Sequence, residues 1–300
     1  WWGDFEEMTR LYELHKAPAA GSEFGPDTAY HRLRLVRNGF GNVLNGDRAD
    51  GDAYYAELCA LTLQWARQHP DSALAHVLHA RALTKRAWKI RGGGYTKEVP
   101  PQAWEDFHAY IKQAGDYLAA NAKVAFTDSS AHSELILIGQ ASDWPVERLW
   151  SIAQEGLKIN PNDRKLYLDV LTAALPKWGG SAELVDRYIA EVLAQTKDRW
   201  GMEMYAILYS SAAEEQFGHQ LFRDSLAKWL KMKEGLEQRI KRDGIVQLRN
   251  RLAYFACMAQ DRPTLLEQLE AMGDEKPHRP DWGNNPQVTY DTCKRWAFKS

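Results

Sequence analysis

Apolar residues return at intervals of three and four through almost the whole chain, the spacing that lays one stripe along the side of an α-helix. Trp104, Phe107, Ile111, Ala114 and Leu118 make one such stripe, and Val146, Leu149, Trp150, Ala153 and Leu157 another. The series continues through Tyr167, Val170, Leu171 and Ala174, then Leu184, Tyr188 and Val192, then Tyr205, Leu208 and Ala212, then Ile245, Leu248, Leu252, Phe255 and Ala259. The alternation of period two that marks a half-buried strand is absent from the pattern.

Between the stripes stand helix stops. His69-Pro70-Asp71-Ser72, Asp143-Trp144-Pro145, Asn160-Pro161-Asn162-Asp163 and Gly179-Gly180-Ser181 each join a breaker to a side chain able to cap the next helix. Reading between them predicts helices over 4–16, 28–45, 52–68, 71–90, 101–122, 130–141, 145–158, 162–175, 181–196, 200–217, 219–242, 244–259, 262–272 and 286–297. Links this short favour antiparallel neighbours. The fold expected is therefore all-α, a right-handed superhelical array of antiparallel helix pairs (a TPR-like solenoid) whose first helices line a concave groove. Gln68-His69-Pro70-Asp71 before Ala73-Leu74-Ala75-His76, and Ile159-Asn160-Pro161-Asn162 before Leu166-Tyr167-Leu168, resemble the proline boundary of tetratricopeptide units. Their period is longer and less regular than the usual one of about 34 residues. The organisation expected is an N-terminal helical segment over 1–50, a TPR-like repeat domain over 51–275 and a capping segment over 276–300.

Charge narrows the partners. Lys+Arg 38 against Asp+Glu 40 leaves a net charge of −2, so no overall field draws in nucleic acid or an anionic membrane. Local basic clusters do not change that reading. Lys85, Arg86, Lys89, Arg91 and Lys97 suit a solvated helix end, where cations complement the dipole. Lys228, Lys231, Lys233, Arg239, Lys241 and Arg242 are interleaved with Glu234 and Glu237, as on a salt-bridged helix. No apolar run approaches the roughly 18 to 20 residues that cross a bilayer, so membrane insertion is not expected. Cys59, Cys257 and Cys293 are odd in number, far apart and without a CxxC pair; they are expected as reduced or buried residues, with neither a disulfide nor a thiolate metal site. The chain begins Trp1-Trp2 rather than Met, which reads as processed or trimmed and leaves the compartment open. Gly21-Ser22-Glu23-Phe24 reads like a cloning-site scar, so residues 1–25 carry no weight.

Two segments depart from generic helical texture: Arg91-Gly92-Gly93-Gly94-Tyr95 and Leu175-Pro176-Lys177-Trp178-Gly179-Gly180-Ser181. With Asp261, Trp282 and Trp296, they make the stretch 70–300 resemble a bacterial TPR-like family of unknown function marked by "RGxGY" and "LPKWGGS" segments. The resemblance implies a fold, and it supplies no catalytic residues. Backbone geometry alone accounts for glycines at helix C-termini, because they reach positive φ without cost. The functional alternative is that both segments follow second helices and lie on one edge of the array. Arg91, Tyr95, Lys177 and Trp178 would then offer cations and flat rings to a carboxylate, a phosphate or a peptide end. An intermediate reading makes Trp178 a plug between two hairpins, with Lys177 in water. Twelve Trp, thirteen Tyr and nine Phe serve first as core filler. On the first helices, Trp104, Phe107, Tyr110 and Trp150 are the candidate groove anchors.

Residue types that could carry catalysis occur, but not in a recognisable signature. His76 and His79 lie three apart on a helix, without the glutamate of HExxH or a third ligand, and read as a solvated or partly buried pair. Asp128, Ser129, Ser130 and His132 read as a polar helix start rather than a triad. Gly92-Gly93-Gly94 lacks the rest of a phosphate loop. No cofactor and no metal are therefore expected. The function expected is a non-catalytic protein- or peptide-binding helical-repeat module, in a scaffold, adaptor or immunity-type role. The alternative is an enzyme or small-ligand protein that uses the edge carrying RGGGY and PKWGG. A third is self-assembly, with Pro277–Ser300 capping its own array or docking on another copy.

Overall fold

The computed structural model describes residues 4–16, 33–39, 51–94, 96–244, 247–273 and 277–299. Every regular element among them is helical. The chain divides into two compact units, 1–170 and 171–300, with the division inside the span 51–275 expected as one array.

The first unit holds α1 (Phe5–Lys16), α2 (33–39), α3 (Gly51–Gln68), α4 (Ala73–Arg91), α5 (Pro101–Ala120), the single turn α6 (Ala122–Ala125), α7 (Ser129–Gln140), α8 (Val146–Ile159) and the start of α9 (Arg164–Ala174). Successive helices pack as pairs: α3 on α4, α4 on α5, α7 on α8. At the centre runs α4, buried nearly all round by Leu74, Val77, Leu78, Leu83 and five alanines. A helix apolar on every side belongs inside a fold, and its small residues let neighbours approach. Ser72 caps its start, accepting from the Ala75 amide. Phe107, Ile111, Ala114 and Leu118, the stripe seen in the sequence, are the buried face of α5. Each large apolar side chain so enclosed contributes about 1.5–3 kcal/mol.

The second unit holds α10 (Ala182–Trp200), α11 (Glu203–Ala212), the one-turn α12 (Leu221–Asp224), α13 (Trp229–Asp243), α14 (Gln247–Met258), α15 (Arg262–Met272) and α16 (Pro286–Ala297). Here α11 packs on α10 and α13, and α14 on α13 and α15. Gly235 sets the α11–α13 spacing: a Cβ there would stand 2.2 Å from the Met202 carbonyl oxygen.

Three departures from the sequence pattern have physical causes. The span 200–217, expected as one helix, ends its α-helical part at Ala212 and continues as a π-helical turn, Ala213–Phe217. The span 219–242 breaks between α12 and α13 without glycine or proline. Ser225 Oγ donates to the Leu221 carbonyl and accepts from the Ala227 amide, while Tyr205 Oη takes the Lys228 amide at 2.8 Å. Side chains thus replace the helical partners of the backbone there. Finally, Cys257 and Cys293 form a disulfide, correcting the expectation of three unpaired cysteines; their Cα atoms are 5.8 Å apart across 36 residues of chain. Packing of α16 against the end of α14 brings them together, which no sequence spacing reveals. Cys59 is the remaining thiol, buried, with its pKa pushed up to about 11 by that burial.

Candidate functional site

The LPKWGGS segment builds one wall of the best candidate site. Pro176–Trp178 form a 3-10 turn, and Gly179, at φ 86°, closes it. Gly180 follows where a Cβ would lie 1.9 Å from the Ala174 carbonyl oxygen, so no other residue fits. The segment folds back against the π turn. Lys177 donates its amide to Gln216 Oε1 at 3.1 Å, and its Nζ to both the carbonyl and the carboxylate of Glu215, each at 3.1 Å. Thr172 and Ser211 donate to the other Glu215 oxygen, at 3.0 and 3.4 Å. A π turn disrupts the regular ladder, and such turns recur at functional sites.

Beyond this turn opens a cleft of ≈ 1050 Å³ within the second unit. Its sides are residues 213–216 with Gly218 and His219, one edge of α14, the segment 280–285 and α16. Tyr254, Phe255 and Trp282 give it a floor of buried rings, beside the Cys257–Cys293 bond. Trp282 is locked in place: its Nε1 donates to Asn250 Oδ1 at 2.9 Å and its ring meets Tyr254 and Tyr290 edge-on. Half-buried Trp296 stands at the side, and exposed Glu214, Gln216, His219, Gln260, Asn284 and Asn285 form a polar rim. One chain of charges crosses the cleft. Arg251 pairs with Glu214 and with Asp281, each at 2.8 Å, and Asp281 meets His278 Nδ1 at 2.6 Å. Burial, and then the Glu214 carboxylate, raise the Tyr254 pKa, so its hydroxyl stays protonated at neutral pH.

The floor rings are closed off by their own packing, so the arrangement suits the seating of an apolar side chain against half-buried Met258 and Trp296 while the rim holds polar backbone groups. Among the described residues, no group of three or more His, Cys, Asp or Glu is placed to hold a metal ion.

The residues singled out in the sequence are dispersed. RGGGY lies in the unit 1–170 and PKWGG in the unit 171–300. The Arg91 guanidinium sits over the Trp88 and Trp104 rings, 5.5 and 5.0 Å from their centroids, and donates to the Gly92 and Gly94 carbonyls. Tyr95 lies outside the described residues. Trp104 stacks on His108 and packs, half-buried, on the core, as does Tyr110 beneath the Arg86 guanidinium. Phe107 is 2% exposed and Trp150 6%, Trp150 packing against Tyr167; both rings are interior filler with no face left for a partner. Lys177 braces the π turn from an exposed position. Trp178 is 42% exposed, which removes the plug reading and leaves it on the surface.

His76 and His79 are both buried, more deeply than a solvated pair. His76 bridges the Pro70 carbonyl (2.8 Å) and Tyr117 Oη (2.9 Å), while His79 Nδ1 meets Thr62 Oγ1 at 3.0 Å. The Asp128–His132 cluster is a helix start: Asp128 accepts from the Ser130 amide at 2.8 Å. It is also a hub, for Tyr12 and Arg37 both donate to Asp128, Ser129 donates to Asp163 at 2.6 Å, and Ser133 to Asp169 at 2.5 Å. Burial acts to raise the Asp128 pKa, but the Arg37 charge and its hydrogen bond prevail and hold it low. These buried charges are paired, as a low-dielectric interior requires, and they tie α1, α2, α7 and α9 together.

Sequence reasoning passed over Glu214, Arg251, Tyr254 and Asp281, which periodicity reads as ordinary helix and loop positions. Trp282 and Trp296, noted for the family resemblance, were the nearest signal. Compared with family models, curated proteins and solved structures, the chain matches none of them.

Proposed function

We propose that this chain is a non-catalytic protein- or peptide-binding module, a TPR-like array of the bacterial family that its RGxGY- and LPKWGGS-like segments resemble. The successive pairing of α3, α4 and α5, and of α13, α14 and α15, supports a superhelical array within each unit. The observation that carries the reading is the cleft in the second unit: a trough of ≈ 1050 Å³ over buried rings, with half-buried Met258 and Trp296 at its sides and a polar rim. That anatomy fits an extended segment of a partner protein whose apolar side chains sit against Met258 and Trp296. Arg251, Glu214 and Asp281 satisfy one another, so they orient such a segment rather than attack it. A scaffold, adaptor or immunity-type role follows from the same reading. The Cys257–Cys293 bond favours an oxidising compartment such as the periplasm.

The test is selection of peptides from a displayed random library on the purified oxidised protein, with affinities measured by fluorescence polarisation. Enriched peptides should lose about tenfold or more in affinity on Trp296→Ala or Glu214→Arg, with circular dichroism unchanged. An empty selection, or peptides indifferent to both substitutions, would remove the cleft as the binding site.

A further inference from the structure

Among the described residues, the outward face of α16 is unpartnered, and it is self-complementary in its chemistry. Tyr290, Cys293 and Ala297 turn inward. On the opposite side, Val288, Asp291, Arg295 and Phe298 follow one another at intervals of three, four and three, which is a single helical stripe. Val288 is 67% exposed and Phe298 54%, and both border a surface trough of ≈ 660 Å³ that Asp291, Lys294 and Arg295 complete. Exposed apolar residues scattered singly are ordinary; two on one stripe with an acid and a base between them are not scattered. Asp291 accepts from Gln287 at 3.0 Å, and Arg295 donates to the Asp291 carbonyl and to Thr292. Among the described residues, neither Asp291 nor Arg295 forms an ion pair.

We propose that this face docks on the same face of a second copy of the chain, the two α16 helices running antiparallel about a two-fold axis level with residue 293. Val288 and Phe298 are equidistant from that level, and so are Asp291 and Arg295. The two-fold operation therefore sets Val288 against the second copy's Phe298, and Asp291 against its Arg295. Each contact occurs twice, as an isologous interface demands. Parallel pairing would instead oppose Asp291 to Asp291 and Arg295 to Arg295, so charge selects the antiparallel register. The contact is independent of the cleft reading, although Val288 also borders the cleft. One helix face buries less than the area typical of stable complexes, so the dissociation constant falls on the order of 10–100 μM.

The experiment is sedimentation velocity of the oxidised full chain from about 5 to 500 μM, a range that brackets that constant. The wild-type protein should pass from monomer to dimer. Asp291→Arg and Arg295→Asp, each of which leaves like charges facing one another, should remain monomeric alone. Mixed in equal amounts, these two variants should form the dimer again, because each then meets its complement. A wild-type chain monomeric throughout the range overturns the proposal. So does association that survives both single substitutions, or a mixture that stays monomeric; the exposed positions of both side chains keep the fold out of the result.

Discussion

Gly180 and Gly93 show how one residue type serves two different purposes. At Gly180 the backbone passes so close to Ala174 that a methyl group would meet a carbonyl oxygen at 1.9 Å, whereas a Cβ at Gly93 would meet nothing within 4 Å. Gly180→Ala should therefore cost about 3 kcal/mol in urea denaturation, and Gly93→Ala almost nothing. The doublet and triplet look alike in the sequence, and only the return of the chain against α9 separates them. His79 makes a second residue-scale case. Burial against Thr62 and Tyr117 lowers its pKa from the ordinary 6.5 to about 4, with the nearby His76 and Arg67 acting in the same direction. Above pH 6.5 both folded and unfolded chains hold the ring neutral, so stability is undiminished. Between 6.5 and about 4 the unfolded chain takes up a proton that the folded one refuses, and stability falls by up to about 1.4 kcal/mol per pH unit. Burial lowers the His132 pKa too, in the same sense. Denaturation midpoints measured at pH 7, 6 and 5 should decline, and His79→Gln should flatten the decline.

Among the elements, α16 and its disulfide matter most to the candidate site, because one side of the cleft is this helix. Closing a loop of 36 residues restricts the unfolded chain by about 4 kcal/mol on the chain-entropy model. Reduction should lower the urea midpoint accordingly, and with it the affinity of any peptide bound in the cleft. Thiol labelling of the denatured, unreduced protein should find only Cys59, and after reduction all three cysteines. Helix existence was legible in the periodicity: α5, α8, α10 and α15 begin and end within a few residues of where proline, glycine and capping side chains place them. The π turn and the α12–α13 break were not. Tyr205, 23 residues away, supplies the partner that ends one ladder, and Lys177, 38 residues away, braces the other.

For the molecule as a whole, the partition into two units gives each stabilising device its own territory. His79 acts within 1–170 and the disulfide within 171–300. Hydrogen exchange should therefore show acidification loosening α3 and α4, and reductant loosening α14 and α16. The class of structure was already written in the periodicity of the chain. A pervasive period near 3.6, punctuated by caps and breakers, leaves no way to hide the apolar stripes except by packing helix on helix. Its near-even charge balance likewise leaves no strong overall field, because that depends on totals rather than positions. Only the tertiary structure decided which aromatic rings are core and which face a cleft, and that Lys177 braces a turn. It also decided that two of the three cysteines join. Those outcomes depend on residues far apart in sequence coming within a few ångströms, and local spacing carries no record of such encounters.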